Sequence, residues 1–296
     1  MEKCIYFQLP APVPAWRGVL DTTGFGPACA QRKVKNRNTT FGNFRRHSES
    51  ENCLFLNVFA PAQRFNETYP VIIWIHGGGF QIGSAADYGQ EPILRNFVSR
   101  RIVFVTLNYR LGPLGFLSTG DDVVPGNAGL YDILHAVDWI QTNIREFGGN
   151  PKSVTIMGQG SGAAAAALIA LSPKSRHKVH RMILMSGSPF TPGVVRDIAI
   201  NATQKLQDHV GCRAYNSSQI VECLRAASLR ALLDNSRPVQ IFVLFSYLDT
   251  PAIVLPKSFT IFNALNICSI FCAPSEDEQV ITKNQQLYLF LLGTSE

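Results

Sequence analysis

The chain has 296 residues, of which 46% are hydrophobic and 16% are charged, and its formal net charge is +6. The charged share lies below the roughly 25% of an average domain, which excludes a charge-rich disordered chain and favours a buried sheet. Six basic side chains fall between Arg32 and Arg46 without a zinc-finger, RNA-binding or basic-helix pattern, so a solvated loop is preferred to nucleic-acid binding.

The first half of the chain consists of apolar strands followed by a helix. Strands are predicted over 53–61, 70–80 and 101–112. Strands that are apolar on both faces are typical of the middle of a covered parallel sheet. A helix is predicted over 127–149, because leucine, valine and isoleucine recur at helical spacing and two glycines end it.

In the second half of the chain, strands and helices alternate as far as a helical region, after which no clear pattern remains. A strand over 153–157, a helix over 161–171 and a strand over 181–187 are followed by a helical pattern over 195–235. Strands that alternate with helices indicate an α/β fold with a doubly wound sheet. After Pro238 the periodicity is mixed until a short strand, "LYLFLLGTSE", at the end. No stretch is long and apolar enough for a membrane span.

Cysteines and glycosylation sequons bear on the compartment. None of the seven cysteines forms a CxxC pair, which argues against a metal or thioredoxin-type site. Four N-x-[ST] sequons together with several cysteines favour an extracellular or cell-surface chain; the sequons are at Asn38, Asn66, Asn201 and Asn216. The first sixteen residues have no apolar core of a signal peptide, so the chain is expected to begin inside a domain.

The stretch "VTIMGQGSGAAAAALIAL", residues 154–171, has the form of a strand, a sharp turn and a helix. Turns of this kind present a nucleophilic serine as G-x-S-x-G. Here the middle position is Gly160, and Ser161 follows one place later. Adjacent side chains leave a helix about 100° apart. We therefore prefer Ser161 as the first residue or cap of the helix to Ser161 as a nucleophile.

Several long motifs resemble the cholinesterase and type-B carboxylesterase family in order and spacing. They include "SESENCLFLNVFAP", "PVIIWIHGGGFQIGS" and "PGNAGLYDILHAVDWIQTNIREFGGNPKSVTIMG". The resemblance is strong over 6–233 and weak over 234–296. It implies an α/β-hydrolase fold, a mostly parallel central sheet with helices on both faces. Because family members are longer at both ends, residues 1–296 are expected to form a partial type-B carboxylesterase domain, incomplete at both ends.

The resemblance also implies specific bonds and donors. It pairs Cys29 with Cys53 and Cys212 with Cys223; buried free thiols are the alternative. It places the family's oxyanion loop at "HGGG", 76–79, where Gly78 and Gly79 would offer backbone N–H groups. The alternative for these glycines is a tight exit from the strand.

The same resemblance implies that catalytic groups of the family are absent. The family's nucleophilic serine aligns with Gly160, and Gln159 replaces its usual acidic neighbour. The catalytic histidine would lie beyond the end of the chain. None of the three histidines after residue 160 suits the role: His177, His180 and His209. Glu296 lies near the position of the acidic member, but two residues early, so it is a doubtful candidate.

Two further positions depart from the family. The loop from Cys29 to Cys53 lacks the tryptophan of the choline site, and its nearest aromatic residue is Phe44, so choline esters are not implied. The family pairs an arginine near its start with the glutamate that matches Glu51. Tyr6 stands at the arginine position, so Glu51 is expected to lack its partner.

These observations leave three functions open. The preferred one is a non-catalytic protein similar to glutactin, neurotactin and neuroligin, which binds another extracellular protein or mediates cell adhesion. The alternative is a carboxylic-ester hydrolase with a truncated sequence, for which Ser161 would attack a small-molecule ester. The third is a fragment with no function of its own. No metal, cofactor or nucleic-acid partner is expected in any of them.

Overall fold

The structure of the protein, a computed structural model, describes residues 6–13, 17–19, 21–32, 48–62, 67–190, 199–213, 215–236 and 287–288. The predictions for Phe44, Asn38, Asn66 and Glu296, and for nearly all of 236–286, lie outside these residues.

The strands form a small pair and one large sheet. The pair is parallel and consists of β1 (Ala28–Cys29) and β2 (Glu49–Ser50). The large sheet contains β3 (Leu56–Phe59), β4 (Tyr69–Ile75), β5 (Val103–Leu107), β6 (Gly149–Gln159), β7 (Arg181–Met185) and β8 (Leu287–Tyr288). Its order is β3-β5-β4-β6-β7-β8. The four inner strands are parallel, and β3 and β8 pair antiparallel at the edges.

Seven helices of the described ranges connect or follow these strands. They are α1 (Glu91–Asn96), α2 (Gly112–Phe116), α3 (Ala128–Asn143), α4 (Ser161–Leu171), α5 (Ala199–Val210), α6 (Ser217–Ala226) and α7 (Leu229–Asn235). Short 3₁₀ turns cover Ala85–Tyr88, Val98–Arg100 and Ile144–Phe147. The helix predicted over 127–149 therefore ends at Asn143 and tightens into a 3₁₀ turn. The described residues of the range 195–235 form three separate helices. No helix in these ranges is long and apolar enough to cross a membrane.

Side chains of the sheet alternate between two apolar layers, as the period of a strand requires. On β4, Ile73 and Ile75 are fully buried in the larger layer, which includes residues of α3 and α4. Trp74 points into the smaller layer on the other face, with Ile93 of α1 and Phe104 of β5. Helices therefore cover both faces of a mostly parallel sheet, which confirms the predicted α/β-hydrolase class.

Glycines let α4 pack directly on the ends of β4 and β6. A Cβ on Gly162 would lie 2.2 Å from the carbonyl oxygen of Ile75, and a Cβ on Gly158 would lie 2.3 Å from the carbonyl oxygen of Gly162. Any larger residue at either position would push the helix away from the sheet. The turn between β6 and α4 is therefore held at the carboxyl edge of the sheet.

Two disulfides link segments around the sheet. Cys29 of β1 is bonded to Cys53, which lies between β2 and β3. Cys212, just after α5, is bonded to Cys223 of α6. These are the two pairs that the resemblance implies.

The N-terminal segment corrects one expectation. The expectation that Glu51 lacks a partner is wrong, because Tyr6 Oη donates a hydrogen bond of 2.6 Å to Glu51 Oε1. A phenol is a donor, as an arginine is, so it can satisfy the same carboxylate without adding a charge. Two arginines hold the backbone of this segment: Arg225 Nε donates to the Tyr6 carbonyl (3.1 Å), and Arg110 Nη1 donates to the Gln8 carbonyl (2.6 Å).

Candidate active site at the turn between β6 and α4

The turn at Gly160 lies at the carboxyl ends of the parallel strands, where ligands of open α/β sheets bind. Gly160 has φ 58° and ψ −122°. Its N–H donates to the Met185 carbonyl of β7 (2.8 Å), and its own carbonyl accepts from Ala163 and Ala164 of α4 (3.1 Å each). Strand β7 and helix α4 therefore fix the conformation of this residue from both sides.

Gly160 leaves open the space that a side chain would fill. A Cβ built on it meets no atom within 4 Å, in contrast to Gly158 and Gly162 on either side. Packing therefore requires the outer two glycines of G-x-G-x-G but not the middle one. At the position that aligns with the family's serine, the protein has no atom that could attack a substrate.

Ser161 is the first residue of α4, and Gly160 is its N-cap. The Ser161 hydroxyl does not cap the helix; its Oγ accepts a hydrogen bond from the backbone N–H of Phe80 (3.2 Å). Within the described ranges no histidine nitrogen forms a hydrogen bond with Ser161. A serine hydroxyl is a weak nucleophile without an adjacent base. Here it ties the start of the helix to the loop after β4.

That loop, residues 76–80, contains the two glycines predicted as oxyanion donors. Gly78 has φ 116° and Gly79 has φ 63°, both in the region that favours glycine. The Gly78 carbonyl accepts from Gln81 (3.1 Å) and Ile82 (3.2 Å), which closes the loop into a tight turn. Within the described part of the chain, neither Gly78 N–H nor Gly79 N–H donates a hydrogen bond. The loop therefore combines a tight strand exit with two available donors.

Gln159 packs against the same loop. A Cβ on Gly77 would lie 2.7 Å from Gln159 Oε1 and 2.6 Å from its carbonyl oxygen. Because glutamine is neutral, the residue beside Gly160 brings a polar amide to the site and no negative charge.

His76 supports the loop from below, a role that the sequence did not reveal. Its ring is 1% exposed, stacks on Tyr109 at 4.5 Å between centroids, and has Nδ1 2.9 Å from the Gly77 carbonyl. A carbonyl oxygen can only accept, so Nδ1 carries the proton. Burial lowers the pKa of His76 to about 4, although the hydrogen bond to Gly77 opposes this shift. The imidazole is therefore neutral at physiological pH.

Tyr109 completes this support. Its Oη donates to the His76 carbonyl (2.9 Å), and the side chain is fully buried. Burial raises the pKa of Tyr109, so the phenol stays protonated and remains a donor. The only signal in the sequence was the predicted apolar strand 101–112 that contains it, which did not distinguish Tyr109 from a core residue.

Two of the three histidines later in the chain have partners outside this site. His180 Nδ1 accepts from the Val154 N–H (3.2 Å), which joins the segment before β7 to β6. His209 Nδ1 lies 2.6 Å from the Lys205 carbonyl on the same helix, α5. Within the described ranges no group of three histidine, cysteine, aspartate or glutamate residues could hold a metal ion.

Two of the four predicted glycosylation sites can be located. Asn201 is exposed on α5, and Asn216 is exposed at the N-cap of α6, where its side chain accepts from the Gln219 N–H (2.9 Å). Both side chains are accessible to a glycan, and their glycosylation remains a prediction.

Comparison with known proteins relates this geometry to one family. The sequence profile of the Carboxylesterase family matches residues 5–290. Venom carboxylesterase-6 of Apis mellifera is 40% identical over 227 residues, which are 76% of this chain and 39% of that protein. Liver carboxylesterase 1F of Rattus norvegicus is 37% identical over 249 residues, 82% of this chain and 44% of that protein.

A third relative matches nearly the whole chain. Liver carboxylesterase 1 of Oryctolagus cuniculus is 32% identical over 296 residues, which are 98% of this chain and 51% of that protein. The chain thus spans about half the length, or less, of these relatives.

Proposed function

The chain belongs to the carboxylesterase family, and we propose that it is a non-catalytic member whose role is to bind another protein outside the cell. The observation that carries the proposal is the glycine at position 160. The turn lies beside a loop with two available N–H donors, Gly78 and Gly79, but Gly160 provides no nucleophilic side chain at its tip.

The surroundings of the turn support the same proposal. The hydroxyl of Ser161 is engaged with the Phe80 N–H, and no histidine of the described ranges is bonded to it. The two disulfides and the exposed sequons at Asn201 and Asn216 favour an oxidising, extracellular compartment.

A fluorophosphonate probe tests the loss of catalysis, because it labels only activated serines. We expect no labelling of the full chain, of Ser161→Ala, or of Ser99→Ala, an exposed serine whose Oγ bonds the Arg95 carbonyl. An active serine esterase serves as the positive control. Labelling that persists in Ser99→Ala and disappears in Ser161→Ala would overturn the non-catalytic proposal.

Binding to cells tests the second half of the proposal. A tagged, disulfide-bonded chain is added to intact cells, with the untagged chain as competitor. We expect saturable binding that the competitor removes. Binding that does not saturate, or is absent on a broad panel of cell types, contradicts a role in surface recognition.

A carboxylic-ester hydrolase is the second candidate function. The relatives are named as carboxylesterases, and Ser161 Oγ lies within hydrogen-bond distance of the loop that contains Gly78 and Gly79. This candidate predicts labelling of Ser161 in the probe experiment. The same measurement therefore separates the two functions.

A further inference from the structure

A cleft with no residue in common with the Gly160 turn or the glycine loop lies between three segments. These are the N-terminal segment, the residues after α2 and the end of α6. Its volume is about 310 Å³. Pockets for small organic ligands begin at about 300 Å³, so the cleft has room for one small molecule.

Apolar side chains form the interior and part of the rim of this cleft. Leu114, Leu117 and Val124 line it and are buried, whereas Leu9 is 49% exposed and Val123 is 41% exposed. Covering such side chains with an aliphatic or aromatic group removes apolar area from water, which favours binding.

Two exposed charges of opposite sign also line the cleft. Arg225 is oriented by the hydrogen bond from its Nε to the Tyr6 carbonyl, and within the described ranges its two Nη groups donate to nothing. The carboxylate of Asp122 likewise accepts no hydrogen bond from the residues that the structure describes. Its neighbour Asp121, by contrast, accepts from the Thr119 hydroxyl and the Val123 N–H.

We propose that this cleft binds a small zwitterion with an apolar side chain, of the class of a free aliphatic α-amino acid. The ligand carboxylate pairs with Arg225, whose Nη groups suit a carboxylate, and the ligand ammonium pairs with Asp122. The apolar side chain covers Leu117 and Val123. A simple fatty acid would meet the like charge of Asp122, and an amine would meet that of Arg225, so only a zwitterion complements both.

A series of three ligands tests this assignment on the full chain by titration calorimetry. The probes are L-leucine, L-leucinamide, which lacks the carboxylate, and N-acetyl-L-leucine, which lacks the ammonium group. We expect saturable 1:1 binding of leucine, and binding at least about tenfold weaker for the other two, because each loses one charge-assisted contact. Equal affinities for all three, or no saturable binding of leucine, would overturn the proposal.

Matched variants test which charged side chain of the cleft contacts which charged group of the ligand. Asp122→Asn should weaken leucine about tenfold and strengthen the anion N-acetyl-leucine, and Arg225→Gln should weaken leucine and strengthen the cation leucinamide, because each variant removes a contact with leucine and a like charge from the other probe. The controls are Asp208→Asn and Arg176→Gln, exposed residues outside the cleft. Because Arg225→Gln also removes the bond to Tyr6, Val123→Asp provides a second test, in which leucine binding is lost. Unchanged leucine affinity in Asp122→Asn and Val123→Asp contradicts the site.

The result of these leucine-binding experiments does not depend on whether the proposed function is correct. A chain that binds leucine in this cleft could still label with a fluorophosphonate, because the cleft and the Gly160 turn share no residue.

Discussion

At the scale of single residues, the glycines at the turn between β6 and α4 are present for two different physical reasons. Gly158 and Gly162 are required because neighbouring carbonyl oxygens occupy the place of a Cβ. Gly160 adopts a conformation that is strained for other residues, but nothing occupies its Cβ position. The backbone conformation, and not packing, is therefore the reason for a glycine at position 160.

This difference predicts unequal stability losses. Gly160→Ala should lower the free energy of unfolding by about 1–3 kcal/mol, the cost of backbone strain without a clash. Gly162→Ala should cost more, because its Cβ must displace the Ile75 carbonyl. Urea unfolding measures both, with Gly211→Ala as a control at a positive φ in open space. A loss in Gly160→Ala as large as in Gly162→Ala would show that the space over Gly160 is filled.

The buried His76 predicts a pH dependence of stability. Its pKa is about 4 in the folded protein, below the 6.5 of an exposed histidine, so between these values the unfolded chain binds more protons. Stability from this residue is therefore present above about pH 6.5 and is lost as the pH falls towards 4, by about 1.4 kcal/mol per unit within that window.

A nuclear magnetic resonance titration checks this directly. The Cε1–H resonance of His76 should keep its neutral position at pH 5 in the folded protein and take its charged position at the same pH in denaturant. The control is His76→Gln, which removes the resonance and should flatten the slope of unfolding free energy against pH between 4 and 6.5. A charged resonance at pH 5 in the folded state contradicts the assigned neutral role.

Contacts between distant residues were the part that the sequence could not predict. Phe80 and Ser161 are 81 positions apart, and Tyr6 and Glu51 are 45 apart. Periodicity reports which face of an element is buried, but it contains no information on which polar groups meet. At Tyr6 the resemblance implied a missing arginine and therefore an unpaired Glu51. It contained no indication that the Tyr6 phenol would donate a hydrogen bond to the Glu51 carboxylate instead.

At the scale of elements, strand centres were predicted better than strand ends. The run 70–80 covers all of β4 except Tyr69, but the strand ends at Ile75, because the next residues turn into the glycine loop. Strand β6 extends on both sides of the predicted 153–157, since Gly149 pairs with Tyr69 across an irregularity in register. Apolar runs indicate which residues are buried. The ends of strands depend on which other strands they pair with, and a single sequence does not contain that information.

The candidate site is likewise assembled from the ends of several elements. The turn comes from β6 and α4, the donors come from the loop after β4, and the carbonyl that fixes Gly160 N–H comes from Met185 at the end of β7. The resemblance placed these motifs in one site, because a parallel sheet brings the carboxyl ends of its strands to one edge. It could not show that the Ser161 hydroxyl holds the loop.

At the scale of the whole molecule, the two apolar layers of the sheet are unequal. The larger layer joins Phe7 of the N-terminal segment to residues of α3, α4, α6 and α7. The smaller layer has a core of Trp74, Ile93 and Phe104, and six neighbouring side chains stay partly exposed: Phe59, Ile72, Phe97, Val98, Met157 and Met185. The sheet is nevertheless shared by both layers, because β4 and β5 contribute alternate residues to each.

This sharing predicts a single cooperative unfolding transition for the chain of 296 residues. Trp74 lies in the smaller layer and Trp139 packs against the larger one, so tryptophan fluorescence reports on both, and far-ultraviolet circular dichroism reports on the helices. Because neither layer can separate from the sheet without exposing the other, the two signals should give the same midpoint in urea. The alternative of a fragment with no function of its own expects gradual, non-coincident curves. Such curves, reproduced with both disulfides intact, would remove the structural basis for every activity proposed for this polypeptide. Coincident midpoints would establish a folded protein in which the Gly160 turn and the cleft can be tested.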